Sequence, residues 1–242
     1  MMRYIDIPYL PREKTALAIS DVPIDGVVTI APPEINRLPI SMRCHADLGI
    51  FVVDKTTVIC PPDTFSRYKE KLSPHGFNVL CGKTPVGSSY PGDSAYNAAI
   101  VGHFCFLNKK VCDMLLLECV QKAGYEIINV KQGYTKCSIC PVTENALVTS
   151  DAGICKAAKN AGLDVFLVDN KSIVLQGFDC GFFGGCASML DRCTMAVNGN
   201  AERLGNFVGL SEFVGKYGVK IKSLHQGEIK DIGSIIPLKT KQ

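Results

Sequence analysis

One pattern recurs along this chain: a short amphipathic stretch, a stopping glycine, then a strand-like apolar run. Its clearest copy is residues 150–168, SDAGICKAAKNAGLDVFLV. Ser150 or Asp151 is placed to cap a helix, and Ile154, Ala157, Ala158 and Ala161 give it an apolar face at helical spacing. Gly162 ends the helix, because glycine enters the left-handed region without a Cβ clash. Residues 163–168 continue as a buried, β-branched-rich strand. The same unit is repeated at 110–130 around Gly124, at 63–80 around Gly76 and at 210–224 around Gly218, with a weaker copy at 15–30 around Gly26. These five glycines stand 50, 48, 38 and 56 residues apart. Repetition on that scale predicts an architecture in which no unit buries its apolar face alone.

A second signature links the units. Gln132-Gly133, Gln176-Gly177 and Gln226-Gly227 each follow a repeat strand and lead into another segment, and Gly92 holds the same place without a glutamine. The segments so introduced, at 96–107, 137–149 and 186–197, read as inner strands. Residues 43–54, RCHADLGIFVVD, read as the inner strand of an earlier unit, turning at Asp54–Lys55 into a second strand. The Gly/Pro/Ser-rich stretch 81–92 reads as a loop at a rim or lid. Residues 1–20 read as a polar lead-in with one short helix. The N-terminal unit then lacks an inner strand, and the final segment, DIGSIIPL, has a strand with no helix after it. The two ends complete each other if a ring is closed by pairing first and last segments. The expectation is one domain spanning 1–242: an α/β fold, a five-bladed α/β propeller of ββαβ-like units with pseudo-fivefold symmetry and helices outside.

Composition narrows the function classes. A net charge of +3, with no basic run interleaved with aromatics, argues against nucleic acid as a partner. No stretch approaches a membrane span, and the opening MMRYIDIPYLPREK has no apolar signal core. Twelve cysteines without such a signal read as reduced thiols of a cytoplasmic protein, most of them small hydrophobes inside apolar runs. The partner expected is a small-molecule substrate, with no cofactor and no resident metal; a homo-oligomer stays open.

Chemistry is expected where inner strands face a central channel. His45-Ala46-Asp47 comes first: on a strand, residues i and i+2 share a face, so the carboxylate would favour the imidazolium form. Gly184-Gly185-Cys186 comes second, since two glycines let a ligand approach the backbone closely just before a thiol. Cys137 and Cys140 have CxxC spacing, but no second pair at zinc-finger spacing follows. Arg43, Asn97, Asp179 and Asp231 are the further polar candidates for holding a substrate.

At these residues the chain resembles the pentein superfamily of guanidine-modifying enzymes. The resemblance spans the five repeats and is sharpest at CHADLGIFVVDKTTVI, like that family's histidine strand, and at GGC 184–186, like its glycine-run-then-cysteine motif. It implies a cysteine-dependent hydrolase or transferase acting on a guanidine or amidine through a covalent thiol adduct. Cys186 would then be the nucleophile, His45 the general acid/base, and Asp47 the ligand of the substrate's cationic nitrogens. Counting units from His45, the same resemblance points to Cys137 or Cys140 as the nucleophile instead. Asp231 and Asp179 stand in for the family's acidic clamp. The superfamily also includes a non-catalytic ribosome-subunit-binding initiation factor, so a binding protein is the alternative.

Overall fold

Local chemistry decides where the helices stop. In the computed structural model, which describes residues 2–242, Gly26, Gly76, Gly124, Gly162 and Gly218 all lie in the left-handed region, with φ of 75°, 81°, 80°, 81° and 71°. An L-side chain at those positions would be strained. Each glycine therefore turns the chain sharply into the strand that follows.

The chain opens with β1 (Met2–Tyr4), β2 (Thr15–Ile19) and β3 (Val28–Ile30). The next unit is a one-turn helix α1 (Ala46–Gly49), β4 (Phe51–Val52), β5 (Thr57–Cys60), α2 (Phe65–Leu72) and β6 (Asn78–Cys81). Then come β7 (Ala99–Val101), β8 (Phe104–Leu107), α3 (Met114–Lys122) and β9 (Glu126–Asn129). A one-turn α4 (Thr135–Ser138) precedes β10 (Ile139–Thr143), β11 (Ala146–Thr149), α5 (Ala152–Asn160) and β12 (Asp164–Leu167). After β13 (Ile173–Val174), a one-turn α6 (Phe183–Cys186) leads into β14 (Ala187–Asp191), β15 (Thr194–Val197), α7 (Phe207–Gly215) and β16 (Lys220–Ser223). β17 (Ile229–Lys230) and β18 (Ile236–Lys241) finish the chain.

Four of the sheets share one plan: β4-β5-β6, β7-β8-β9, β10-β11-β12 and β14-β15-β16. In each, the first two strands are an antiparallel hairpin, and a helical crossover returns the third strand parallel to the second. The fifth sheet, β1-β18-β2-β3, draws on both ends of the chain. β18 pairs antiparallel with β2, β2 runs parallel to β3, and β1 covers the other edge of β18. β13 and β17 make a small separate parallel pair.

Apolar residues from neighbouring sheets merge into shared cores. One joins Leu17, Ile19 and Leu238 to Phe51, Ile59 and Ile100; another joins Cys140 and Val148 to Met189, Met195 and Leu210. Each helix adds one stripe: α3 buries Leu116 and Val120, four residues apart, and α5 buries Ile154, Cys155 and Ala158. Full burial of one such leucine is worth about 2 kcal/mol.

Two expectations are corrected. The helix read in residues 1–20 is absent: Thr15–Ile19 is a fully buried strand flanked by β18 and β3. A short apolar run fits either period, and pairing on both edges decided it. Residues 43–54 are not one strand. His45 is the N-cap of α1, Asp47 lies within that turn, and only Phe51–Val52 is extended. The Asp47 N–H donates to the Gly233 carbonyl (3.1 Å) instead of to a sheet neighbour.

Two helix starts are capped by carboxylates, α3 by Asp113 and α5 by Asp151. Asp113 caps α3 through Leu115 N (2.9 Å) and Leu116 N (3.2 Å). Its other oxygen accepts from Lys83 N (2.9 Å), Thr84 N (2.8 Å) and the Tyr96 hydroxyl (3.2 Å). Burial works to raise this carboxyl, but the donors of Thr84, Leu116 and Lys83 outweigh it and hold it below the ordinary value of 3.8. A depressed folded-state value stabilises the fold above the unfolded-state pKa, and that gain is lost as pH falls through the folded-state one. Asp113→Ala is therefore expected to cost about 3 kcal/mol in urea unfolding at pH 7. The gap to the parent protein should narrow below about pH 4; a gap independent of pH would show that Asp113 acts through packing alone.

Candidate active site

The turns that precede the inner strands meet in the interior, and they carry most of the polar residues buried there. Each is a place where the backbone has no strand neighbour yet, so side chains supply the hydrogen bonds. Asn97 is the clearest case. Its carbonyl oxygen accepts from Lys136 N (2.6 Å) and Cys137 N (3.2 Å), while its amide donates to the Asp47 carbonyl (3.0 Å) and the Cys137 sulfur (3.0 Å). It fixes the α4 turn and aims the Cys137 thiol.

Asp47 is almost wholly buried, and its charge is answered from the end of the chain. Ser234 Oγ lies 2.6 Å from Asp47 Oδ2 and 2.7 Å from the Gly184 carbonyl. A hydroxyl has one proton, and the carboxylate is the stronger acceptor. Lys136 Nζ donates to Ser234 Oγ (3.1 Å) and to the Gly184 carbonyl (3.3 Å), with the Tyr9 ring 5.3 Å away. At 3% exposed, Lys136 is a buried cation beside a buried anion. Ser234 holds φ at 74°, uncommon outside glycine, and these contacts keep it there.

Asp231 faces His45, with Oδ1 4.0 Å from His45 Nδ1. Its oxygens accept from Phe182 N (2.9 Å) and Gly233 N (3.0 Å). Burial raises this carboxyl, His45 draws it partly back, and Asp47 adds to the rise. A Cβ on Gly185 would collide with the Asp231 carboxylate, and one on Gly184 with the carbonyls of Lys136 and Ile139. The two glycines of the GGC motif thus open the space that Asp231 and α4 occupy.

Beside this network is a cavity of about 250 Å³. His45, Cys137 and Asp231 line it, with Asp179 and Cys180; Asp179 is exposed. Met42, Tyr134, Leu175, Phe178 and Phe182 form its apolar walls. Tyr134 is fixed by a 2.7 Å hydrogen bond to Asp93 and by contact with the rings of Tyr90 and Phe182. Two polar atoms here are buried without a partner: His45 Nε2 and Asp47 Oδ1. An orphaned polar atom inside a protein is costly, and a ligand that satisfies it recovers that cost.

The sequence candidates separate accordingly. His45, Asp47, Asn97, Cys137 and Asp231 come together, and Asp179 joins them along the cavity. Cys186 is 0% exposed and packs in the core, its thiol donating to the Phe183 carbonyl (3.2 Å), and it does not line the cavity. Cys140 is also in the core, where burial pushes its thiol up to about 12. Arg43 donates to the Leu38 carbonyl (3.3 Å), outside the cavity lining. Cys137 and Cys140 thus face different surroundings, and among the described residues no three His, Cys, Asp or Glu side chains are grouped to hold a metal ion. Among the described residues no helix is long and apolar enough to cross a membrane. Sequence reading missed Tyr134 and Lys136. Nothing local marks a lysine for burial; only the facing Asp47 and Ser234 do.

Burial raises the Cys137 thiol well above the ordinary value of 9.0, and the charges of Asp47 and Asp231 raise it further, against a smaller opposing effect of Asn97. The resting group is a thiol. Asp231→Asn removes one of the charges that hold it up. The thiolate gained as the thiol falls outweighs the nucleophilicity lost, so iodoacetamide should alkylate Cys137 faster at pH 8. Peptide-resolved mass spectrometry reads this, and an unchanged rate would remove Asp231 as a control on the thiol.

The model described as "Family of unknown function (DUF6873)" matches residues 16–236. No curated protein matches by sequence. Among solved structures, DDAH from Pseudomonas aeruginosa, a cysteine-to-serine mutant complexed with citrulline, is similar at TM-score 0.54 and 9% identity, over 89% of this chain and 81% of that one. A dimethylarginine dimethylaminohydrolase adduct with S-methyl-L-thiocitrulline matches at TM-score 0.50 and 10% identity, covering 82% and 74%. The inosamine-phosphate amidinotransferase of Streptomyces griseus matches at TM-score 0.51 and 13% identity, covering 97% and 75%. At such identities the likeness is one of fold, and that fold is the pentein fold.

Proposed function

Since this chain belongs to the DUF6873 family, whose function is unknown, and has the pentein fold, we propose that it is a cysteine-dependent hydrolase or transferase acting on a guanidine- or amidine-containing small molecule. The five sheets are read as blades around a common axis, one domain closed by β18 on β2, with the cavity at that axis. The observation that carries the proposal is the meeting of a thiol, an imidazole with a free ring nitrogen and the Asp231 carboxylate at one cavity, with an unsatisfied oxygen of Asp47 buried behind it. The names of the similar structures, which include citrulline and S-methyl-L-thiocitrulline complexes, support the same ligand class.

Cys137 is assigned as nucleophile in preference to Cys186, because of these two only Cys137 lines the cavity. A guanidinium placed against Asp47 and Asp231 neutralises the charges that hold the thiol up, so substrate itself favours thiolate formation. The Cys137 proton passes to His45, and sulfur adds to the guanidinium carbon. A C–N bond then breaks, and the leaving nitrogen departs as an amine with the proton from His45. His45 next takes a proton from water, hydroxide adds to the thiouronium carbon, and the C–S bond breaks. Sulfur leaves as thiolate and recovers its proton from His45. A transferase would admit an amine in place of the water. Asn97 holds Cys137 in line throughout.

A non-catalytic binding protein is the second reading, favoured by the elevated Cys137 thiol of the free protein. Incubation with guanidines, followed by mass spectrometry of the Cys137 peptide and assay of released amine, separates the two. The enzyme reading expects a covalent adduct on Cys137, at least a thousandfold loss of turnover in Cys137→Ser, and a comparable loss in His45→Ala with the circular dichroism spectrum retained. Tight binding with no adduct and no amine released would leave the binding protein.

A further inference from the structure

The walls of the cavity say what kind of cation it takes. His45, Cys137 and Asp231 are the buried polar groups of its lining. The remaining lining is apolar: Leu175 is buried, Phe182 is partly buried, and Phe178 stands at the mouth with 46% of its surface exposed. An exposed phenylalanine beside a concave apolar wall is ready to be covered by an apolar partner. None of the described residues lining the cavity is a lysine or arginine. The nearby buried cation, Lys136, is committed to Ser234 and Gly184. Asp179, exposed, adds a second negative charge to the lining.

These features oppose an amino-acid substrate. An α-carboxylate extending from a guanidinium bound at Asp231 would lose water with no cationic or bidentate partner in the lining, and it would meet Asp179 of like charge. An uncharged hydrocarbon tail meets the opposite conditions, burying apolar area against Phe178, Phe182 and Leu175.

Resting on the reading of the cavity as a guanidine or amidine site, we propose that its ligand is a carboxylate-free guanidinium or amidinium. The cationic head sits among His45, Cys137 and Asp231, and an apolar tail lies along Phe178, Phe182 and Leu175. Isothermal titration calorimetry of the full chain tests this with butylguanidine, methylguanidine and L-arginine. Butylguanidine should bind at least tenfold more tightly than L-arginine. Phe178→Ala should weaken butylguanidine severalfold and leave methylguanidine unchanged, since that probe has no tail to lose. Equal or tighter binding of L-arginine would overturn the proposal while leaving the cavity a guanidine site. No binding of any of the three would overturn both. Butylguanidine binding without a Cys137 adduct would support the ligand class and count against catalysis alone.

Discussion

A carboxylate buried as deeply as Asp47 must be answered by charge or hydrogen bonds, because ions leave water only at a cost of several kcal/mol. Here the answer comes from far along the chain. Ser234, 187 residues away, approaches one Asp47 oxygen, and Lys136 stands behind Ser234. The same residues tie α4, α6 and the segment before β18 to one point through the carbonyl of Gly184. The close fit at Gly184, Gly185 and Gly233 follows from this packing of polar groups, since a side chain at any of them would strike a neighbouring turn. The second oxygen of Asp47 is left without a partner. That residual demand is what the proposed cationic ligand would meet.

The electrostatics of the cavity follow from the same constraint. Asp47 and Asp231 are both buried, and burial together with the charge of Asp47 makes Asp231 harder to ionise. Cys137 sits in their field and stays protonated. A cation is the chemical species that relieves all three groups at once.

Much of the periphery was legible in the sequence. The helices at α2, α3, α5 and α7 with their stopping glycines could be read because capping and termination are local: Asp151 accepts from Ile154 N three residues on, and Gly162 turns the chain by its own φ. The sites of the inner turns were legible as positions, since His45, Asp47, Asn97, Cys137 and Asp231 each precede an inner strand. Their conformation was not. His45-Ala46-Asp47 has the alternation of a strand but forms a turn, in which the Asp47 N–H bonds to the Gly233 carbonyl, a partner no local pattern reveals. Thr15–Ile19 has an ambiguous period and became a strand through partners on both edges.

The sequence alone therefore determined the repeat, the α/β class and the residue types available for chemistry, because helix ends, strand runs and glycine turns depend on interactions within a few residues. Only the tertiary structure decided which of the candidate thiols lines the same cavity as the imidazole. Cys186 follows the more suggestive motif, yet its turn buries the sulfur against the Phe183 carbonyl, while Asn97 from another unit aims Cys137 into the cavity. Such a choice depends on contacts between turns tens of residues apart, and the burial of Lys136 depends on them as well.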